Sequence, residues 1–291
     1  MRTDVHQHLL PEPLVAALAR RSAPPYVRGA GAELTLHLRT ESPSSVRVDD
    51  PDARAELLAA DGVERGVVAL SAALGIESLP ADAAGELIDA YAQSARALPG
   101  ELAAWGAIPL ADPDPRRVDR LIDEGFVGLC LPSGALDQPA AVDRLGPVLE
   151  ALERRGAPLF VHPGPPANAA AGAPSWWAAT TDYIAGLHAA WVAWIARGRY
   201  QHPTLRVLFA AMAGLAPLHS ERLVARGAPA TGPDAYLFYD TSSYGPRALS
   251  AMRDVVGPGQ LVYGSDRPVV EPVPPADPAL LIDNPGRLLC P

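Results

Sequence analysis

The sequence predicts one α/β domain built as a TIM-type (β/α)8 barrel, and three observations carry that prediction. Short apolar, β-branched runs alternate with helical patterns along nearly all of the 291 residues. Eight such runs can be found, and strands interleaved with helices in this way build parallel βα units. No glycine-rich phosphate turn follows the first run, which weakens the alternative of an open, doubly wound sheet.

The candidate strands, in order, are "RTDVHQH" (2–8), "ERGVVALS" (64–71), "LAAWGAI" (102–108), "FVGLCLP" (126–132), "APLFVH" (157–162), "LRVLFAA" (205–211), "AYLFYDT" (235–241) and "QLVYGSD" (260–266). Helical stretches such as "PDARAELLAADG", "PRRVDRLIDEG" and "AVDRLGPVLEALERRG" lie between them. Several start after Asp or Pro and stop at Gly, as helix capping predicts. Two connections are longer than the rest. In 23–50 the segment "ELTLHLRT" alternates strictly, with Leu34, Leu36 and Leu38 on one face and Thr35, His37 and Arg39 on the other. That pattern predicts a small extra strand or hairpin laid over the barrel. The second, 163–181, reads "PGPPANAAAGAPSWWAATT". Loops this long are usually functional, and both follow strand C-termini, the face on which barrel active sites form. The whole of 1–291 is therefore expected to be one barrel domain with insertions at about 23–50 and 163–181.

Composition narrows the function. The formal net charge is −9 with no basic block, which argues against nucleic acid or an anionic membrane as partner. No apolar run reaches transmembrane length and no signal peptide is visible, so a soluble, cytoplasmic protein acting on a small molecule is expected. A homodimer is left open. Two cysteines, Cys130 and Cys290, are too few for a disulfide framework or a cysteine zinc cluster. Cys130 reads as a small hydrophobe facing the barrel interior. All 24 cationic side chains are arginine. Without lysine there is neither a Schiff base nor a carboxylated-lysine metal bridge.

Several strands end in residues that are costly to bury without a purpose. In "TDVHQH" residues i and i+2 of a strand project to one side, so His6 and His8 point together. The fifth strand ends at His162 and the eighth at Asp266. In a closed barrel the first and eighth strands are neighbours, so Asp266 reaches the focus of His6 and His8, and His162 completes the set from across the barrel. Three imidazoles and a carboxylate suit one divalent metal ion, zinc first among the candidates, at roughly 2.0–2.2 Å from its ligands. His188, His202 and His219 fall in or beside helical segments and read as surface or hydrogen-bonded residues.

These residues carry a resemblance. The stretches "DVHQHLLPE", "VHPG", "HPTLRVLFAAMAGLAPLHSERL", "YDTSSYGP", "YGSDRP" and "IDNPGRLL" follow one another in the order and spacing of a known family. The chain resembles the amidohydrolase superfamily, in the amidohydrolase-related branch that also holds aminocarboxymuconate-semialdehyde decarboxylase. The resemblance implies a TIM barrel holding one divalent metal through His6, His8, His162 and Asp266, and the missing lysine fits the mononuclear type. One position departs. In this branch the sixth strand usually ends in a histidine, and alignment on Pro217 and Glu221-Arg222-Leu223 puts Ala211 there. Ala211 can neither transfer a proton nor donate a side-chain hydrogen bond.

Three functional readings result. The first is a metal-dependent hydrolase acting on an amide, ester or lactone of a small, aromatic or carboxylated substrate through a metal-activated water, with Asp266 as proton shuttle. The second, suggested by the branch, is a non-oxidative decarboxylase of a small carboxylic acid. The third is a ligand-binding barrel that lost turnover with the histidine at 211. Candidate substrate contacts are Trp176 and Trp177, as paired aromatics, Arg39, as partner for a carboxylate, and Tyr244, as donor to an oxyanion. Their structural alternatives are a helix packed on the barrel wall for the tryptophans and a solvated hairpin face for Arg39.

Overall fold

The structure, a computed structural model, describes residues 1–31, 33–168, 172–229 and 232–290. Residue 32 of the first insertion and residues 169–171 of the second lie outside the described residues. The strands are β1 (Thr3–His8), β2 (Tyr26–Ala30), β3 (Glu33–His37), β4 (Ser44–Val46), β5 (Arg65–Ala69), β6 (Leu102–Ala104), β7 (Leu129–Pro132), β8 (Leu159–His162), β9 (Val207–Phe209), β10 (Leu237–Asp240) and β11 (Leu261–Val262). Two parallel sheets, β1-β5-β6 and β7-β8-β9-β10-β11, form the wall. Parallel bridges Gly106–Leu129 and Gln7–Arg267 join them at both seams. Across one seam the Cys130 amide donates to the Gly106 carbonyl at 2.8 Å, and across the other the Asp266 amide donates to the His6 carbonyl at 2.8 Å. The barrel is closed, with eight strands in chain order.

The local reasons match the sequence. Barrel strands are covered on both faces, so they read as continuous apolar runs rather than alternating ones. Trp105, Phe160, Phe209 and Phe238 are fully buried around them. Asp50 and Asp114 cap the helices at 51–60 and 115–123 by accepting from Asp52 N and Arg116 N, each with proline at its first position. The regular strands are shorter than the apolar runs. β11 stops at Val262 because the chain then turns to bring Asp266 to φ 61°, while Tyr263 and Arg267 still bond to β1 through their carbonyls.

The first insertion forms the antiparallel sheet β2-β3-β4. Leu34 and Leu36 are buried in it, as the alternation predicts. β3 ends at His37, before Arg39. From the second insertion comes a short helix, 177–180, leading into the helix 182–193. The Tyr183 hydroxyl, on the helix that follows the second insertion, donates to Glu41 of the first at 3.0 Å. Among the described residues no helix is long and apolar enough to cross a membrane.

Candidate metal centre

β1 positions two donors by departing from a regular strand. Its register against β5 shifts between Asp4 and Gln7, a bulge that inserts one extra residue. Bulges re-aim side chains beside functional sites. Here Asp4 accepts from the Gln7 amide at 2.8 Å and from Ser265 N at 3.0 Å, while His6 and His8 face the barrel interior. His6 Nε2 and His8 Nε2 are 3.1 Å apart, and His8 Nε2 and His162 Nε2 are 3.1 Å apart. Asp266 Oδ1 lies 3.4 Å from His6 Nε2 and 3.2 Å from His8 Nε2. One donor atom from each of these four residues falls within 4.8 Å of every other.

The far side of each ring explains why the near sides converge. His6 Nδ1 is 2.8 Å from Asp240 Oδ2, His8 Nδ1 is 3.0 Å from the Ala69 carbonyl, and His162 Nδ1 is 2.9 Å from the Pro163 carbonyl. Carbonyl and carboxylate oxygens only accept, so each ring carries its proton on Nδ1 and turns a bare Nε2 lone pair toward the others. Lone pairs crowded at 3.1 Å repel one another unless a positive charge lies between them. A cation about 2.1 Å from each ligand requires neighbouring ligand–ligand edges of roughly 3.0–3.4 Å, and His6–His8, His8–His162, His6–Asp266 and His8–Asp266 already lie at 3.1, 3.1, 3.4 and 3.2 Å. The half-buried Asp266 carboxylate brings negative charge to the focus itself, and the buried Asp240 stands behind His6. The donor set therefore fits a divalent metal ion.

Without a cation the groups of the cluster titrate unequally. Burial alone would lower the His6 pKa, but the carboxylates of Asp240 and Asp266 outweigh it and raise it to about 9. Burial, helped by His8 and His6, drives His162 well below the ordinary histidine value. Burial would raise Asp266, yet the nearby His6 and His8 rings hold it at about 2. The carboxylates thus draw positive charge to His6, whereas His162 resists it.

Above the donors opens a cavity of about 520 Å³. Its walls are mostly apolar, from Pro163, Ile184, Leu187, Leu215, Val269 and Val270, with hydroxyls from Ser71, Thr180, Tyr183, Ser242 and Tyr244. Among the described residues Asp266 is its one carboxylate, and no arginine lines it. Ala211 lines it too, and no fourth histidine does. Ala211 opens a run of left-handed residues, with φ of 44°, 48°, 55°, 60° and 63° from Ala211 to Leu215. L-residues adopt this region at a cost of about 1–2 kcal/mol each, so the turn is strained and held by its surroundings.

The structure thus brings together His6, His8, His162 and Asp266, with Tyr244 on the same cavity. Three expected substrate contacts stand elsewhere. Arg39 is exposed in the bend beyond β3, where the strand's alternation no longer holds. Trp176 is 59% exposed, and Trp177 lines a neighbouring cleft with Leu38 and Glu41, where the two insertions meet. His188 and His219 pack edge to face with each other and His202 stacks on Trp194, all outside the cavity. Sequence reasoning missed Asp240. It was visible in "YDTSSYGP" as a carboxylate ending the seventh strand, in the same pattern as Asp266.

A closed barrel with three histidines and an aspartate converging at the C-terminal ends of its strands defines a class of metal-dependent barrel proteins. The amidohydrolase family model matches residues 3–291, and the chain belongs to that family. A comparison with curated protein sequences finds no match. Among solved structures the chain is similar to 5-carboxyvanillate decarboxylase LigW from Sphingomonas paucimobilis, with 20% identity, TM-score 0.74 and coverage of 99% of this chain and 98% of that one. It is similar to 2,6-dihydroxybenzoate decarboxylase from Rhizobium, with 18% identity, TM-score 0.71 and the same 99% and 98% coverage. A third is the 5-carboxyvanillate decarboxylase of Novosphingobium aromaticivorans with bound manganese, at 16% identity and TM-score 0.72 over 93% of this chain and 88% of that one. At these identities the likeness establishes the barrel fold.

Proposed function

We propose that the chain is a metal-dependent, non-oxidative decarboxylase of a small ring-bearing monocarboxylic acid. The observation that carries this reading is the cavity: a four-donor cluster beneath apolar walls, with no arginine lining it among the described residues. His6, His8, His162 and Asp266 would hold one divalent ion, zinc or manganese, which supplies a Lewis-acid anchor for the substrate's polar groups. With no guanidinium lining the cavity among the described residues, the divalent ion is the one positive charge offered to a substrate carboxylate, and a second carboxylate would have no partner there. Loss of CO2 disperses the negative charge, a step that apolar surroundings favour over a solvated carboxylate. Ile184, Leu187 and Leu215 offer faces for a ring, and the hydroxyls of Ser71, Ser242 and Tyr244 orient its substituents.

Asp266 moves the proton. It takes one from a hydroxyl of the bound acid or from water and returns it to the ring carbon. The carbon–carboxylate bond breaks, CO2 leaves, and the ring carbon keeps the electron pair that the proton then joins. No imidazole at 211 shares this task. The barrel fold shared with several decarboxylases supports the reading. Hydrolysis of an ester or lactone is the second reading, favoured by Tyr244, whose hydroxyl suits donation to an oxyanion.

Metal-loaded protein offered hydroxylated aromatic monocarboxylates, and separately esters, lactones and amides, separates these readings. The expected result is CO2 release from at least one monocarboxylate, abolished by Asp266→Asn. Ester or lactone cleavage without CO2 release from any acid would transfer the function to hydrolysis. Inertness across both panels would favour a binding barrel.

A further inference from the structure

Asp240 ends β10, is fully buried, and reaches a residue on a strand that is not its neighbour. β11 runs between β10 and β1. His6 and Asp240 meet across the backbone of Gly264, just beyond β11. A Cβ at 264 would fall 2.8 Å from His6 Cβ and 2.9 Å from Asp240 Cβ, distances that real Cβ contacts do not show. Glycine is therefore required for the close approach. The Asp240 carboxylate is also fixed in rotation. Its Oδ1 accepts from the Ser242 hydroxyl at 2.5 Å, from Ala211 N at 2.9 Å and from Ser242 N at 3.0 Å. That leaves Oδ2 to face His6 Nδ1 at 2.8 Å.

We propose that Asp240 is a positioning residue: seen through the opening at Gly264, it locks His6 in the tautomer that presents Nε2 to a cation. An oxygen that can only accept requires the ring proton on Nδ1. His8 and His162 are locked by main-chain carbonyls, so Asp240 is the one such lock that a side-chain substitution can reverse. The same carboxylate holds the amide of Ala211, and so couples a metal ligand to the start of the left-handed turn that walls the cavity. The inference rests on the metal assignment of this site and not on the reaction carried out there.

Asp240→Asn tests it. The amide oxygen can still accept from Ala211 and Ser242, which turns the NH2 group toward His6. That group donates, so the ring proton moves to Nε2 and blocks the ligand position. Zinc affinity, read by competition with a chromophoric chelator, should fall about 10–100-fold. The unfolding temperature of the metal-free protein should change by no more than about 3 °C. In a His6→Ala background Asp240→Asn should have no further effect on affinity. In 15N-labelled, zinc-loaded wild-type protein the His6 proton should couple to Nδ1, a reading that does not depend on the variant folding. Wild-type affinity in Asp240→Asn, an equal loss in the His6→Ala background, or the proton on Nε2 in the wild type would each overturn the proposal. Wild-type protein that binds no zinc or manganese is a different result: it defeats the metal assignment, and the positioning role falls with it.

Discussion

Ala211 places a methyl group on the cavity wall beside the donor cluster, where an imidazole would join the proton transfer. Positioned acid–base groups contribute about 10²–10⁴-fold in rate. Ala211→His should therefore raise turnover by at least about tenfold while metal affinity stays within about threefold, as measured by steady-state kinetics and chelator competition; lost metal binding with unchanged turnover would contradict this placement. A second residue matters through its burial. Glu77 is fully buried, neither carboxylate oxygen has a hydrogen-bond partner in another of the described residues, and burial, only partly offset by its own backbone amide, pushes its pKa from 4.5 up to about 8. Below about pH 4.5 both folded and unfolded chains hold this proton, so it costs nothing. Between about 4.5 and 8 only the unfolded chain releases it, and stability falls by up to about 1.4 kcal/mol per pH unit. Above about 8 the penalty is constant. Glu77→Gln has no proton to lose, so its melting temperature should gain on the wild type steadily from pH 5 to pH 8. A gap that does not change with pH would show that Glu77 has a partner or is already ionised. At this scale the sequence displayed His6, His8, His162 and Asp266 because polar side chains ending apolar strands stand out. Asp240 stood in an equivalent place, but its role depends on Gly264 admitting contact between non-adjacent strands, a distance that no one-dimensional pattern carries. Arg39, Trp176 and Trp177 were placed by residue type alone, and where a long insertion sends its side chains is decided by tertiary packing.

At the scale of elements, the bulge in β1 does what simple alternation could not. A regular strand would put Asp4 on the face shared by His6 and His8; the extra residue lets Asp4 pair with Gln7 instead. The eight strands were legible because buried parallel strands are apolar on both faces. Their ends were not, because the last residues of each run leave the ladder to present polar groups, as Asp266 does at φ 61°. The extra sheet in the first insertion was legible from Leu34 and Leu36, whereas its tether to the helix 182–193 was not. That tether, Tyr183 to Glu41, joins a wall of the cavity to the β2-β3-β4 layer. Tyr183→Phe removes one hydrogen bond and should lower stability by about 0.5–1.5 kcal/mol. Amide exchange should quicken in 33–46 and leave the barrel strands unchanged; quickening spread evenly over the chain would mean that Tyr183 supports the core rather than the insertion.

For the molecule as a whole, closure of the barrel is what makes the site. His6 and His8 on the first strand, His162 on the fifth and Asp266 after the eighth are far apart in sequence, and they share one focus because the seam at Gln7 and Arg267 joins the last strand to the first. Membership of the amidohydrolase family accounts for that frame, and the proposal of a small acid as substrate rests on the cavity over the focus. The account stands on a cation at this focus. Anomalous diffraction from crystals grown with zinc or manganese, collected on both sides of the metal absorption edge, tests it most directly. The prediction is a single strong peak per chain, between His6, His8, His162 and Asp266, that is absent in the His6→Ala, His8→Ala double variant. No peak at that focus in the wild type, or a peak that persists in the double variant, would contradict the account.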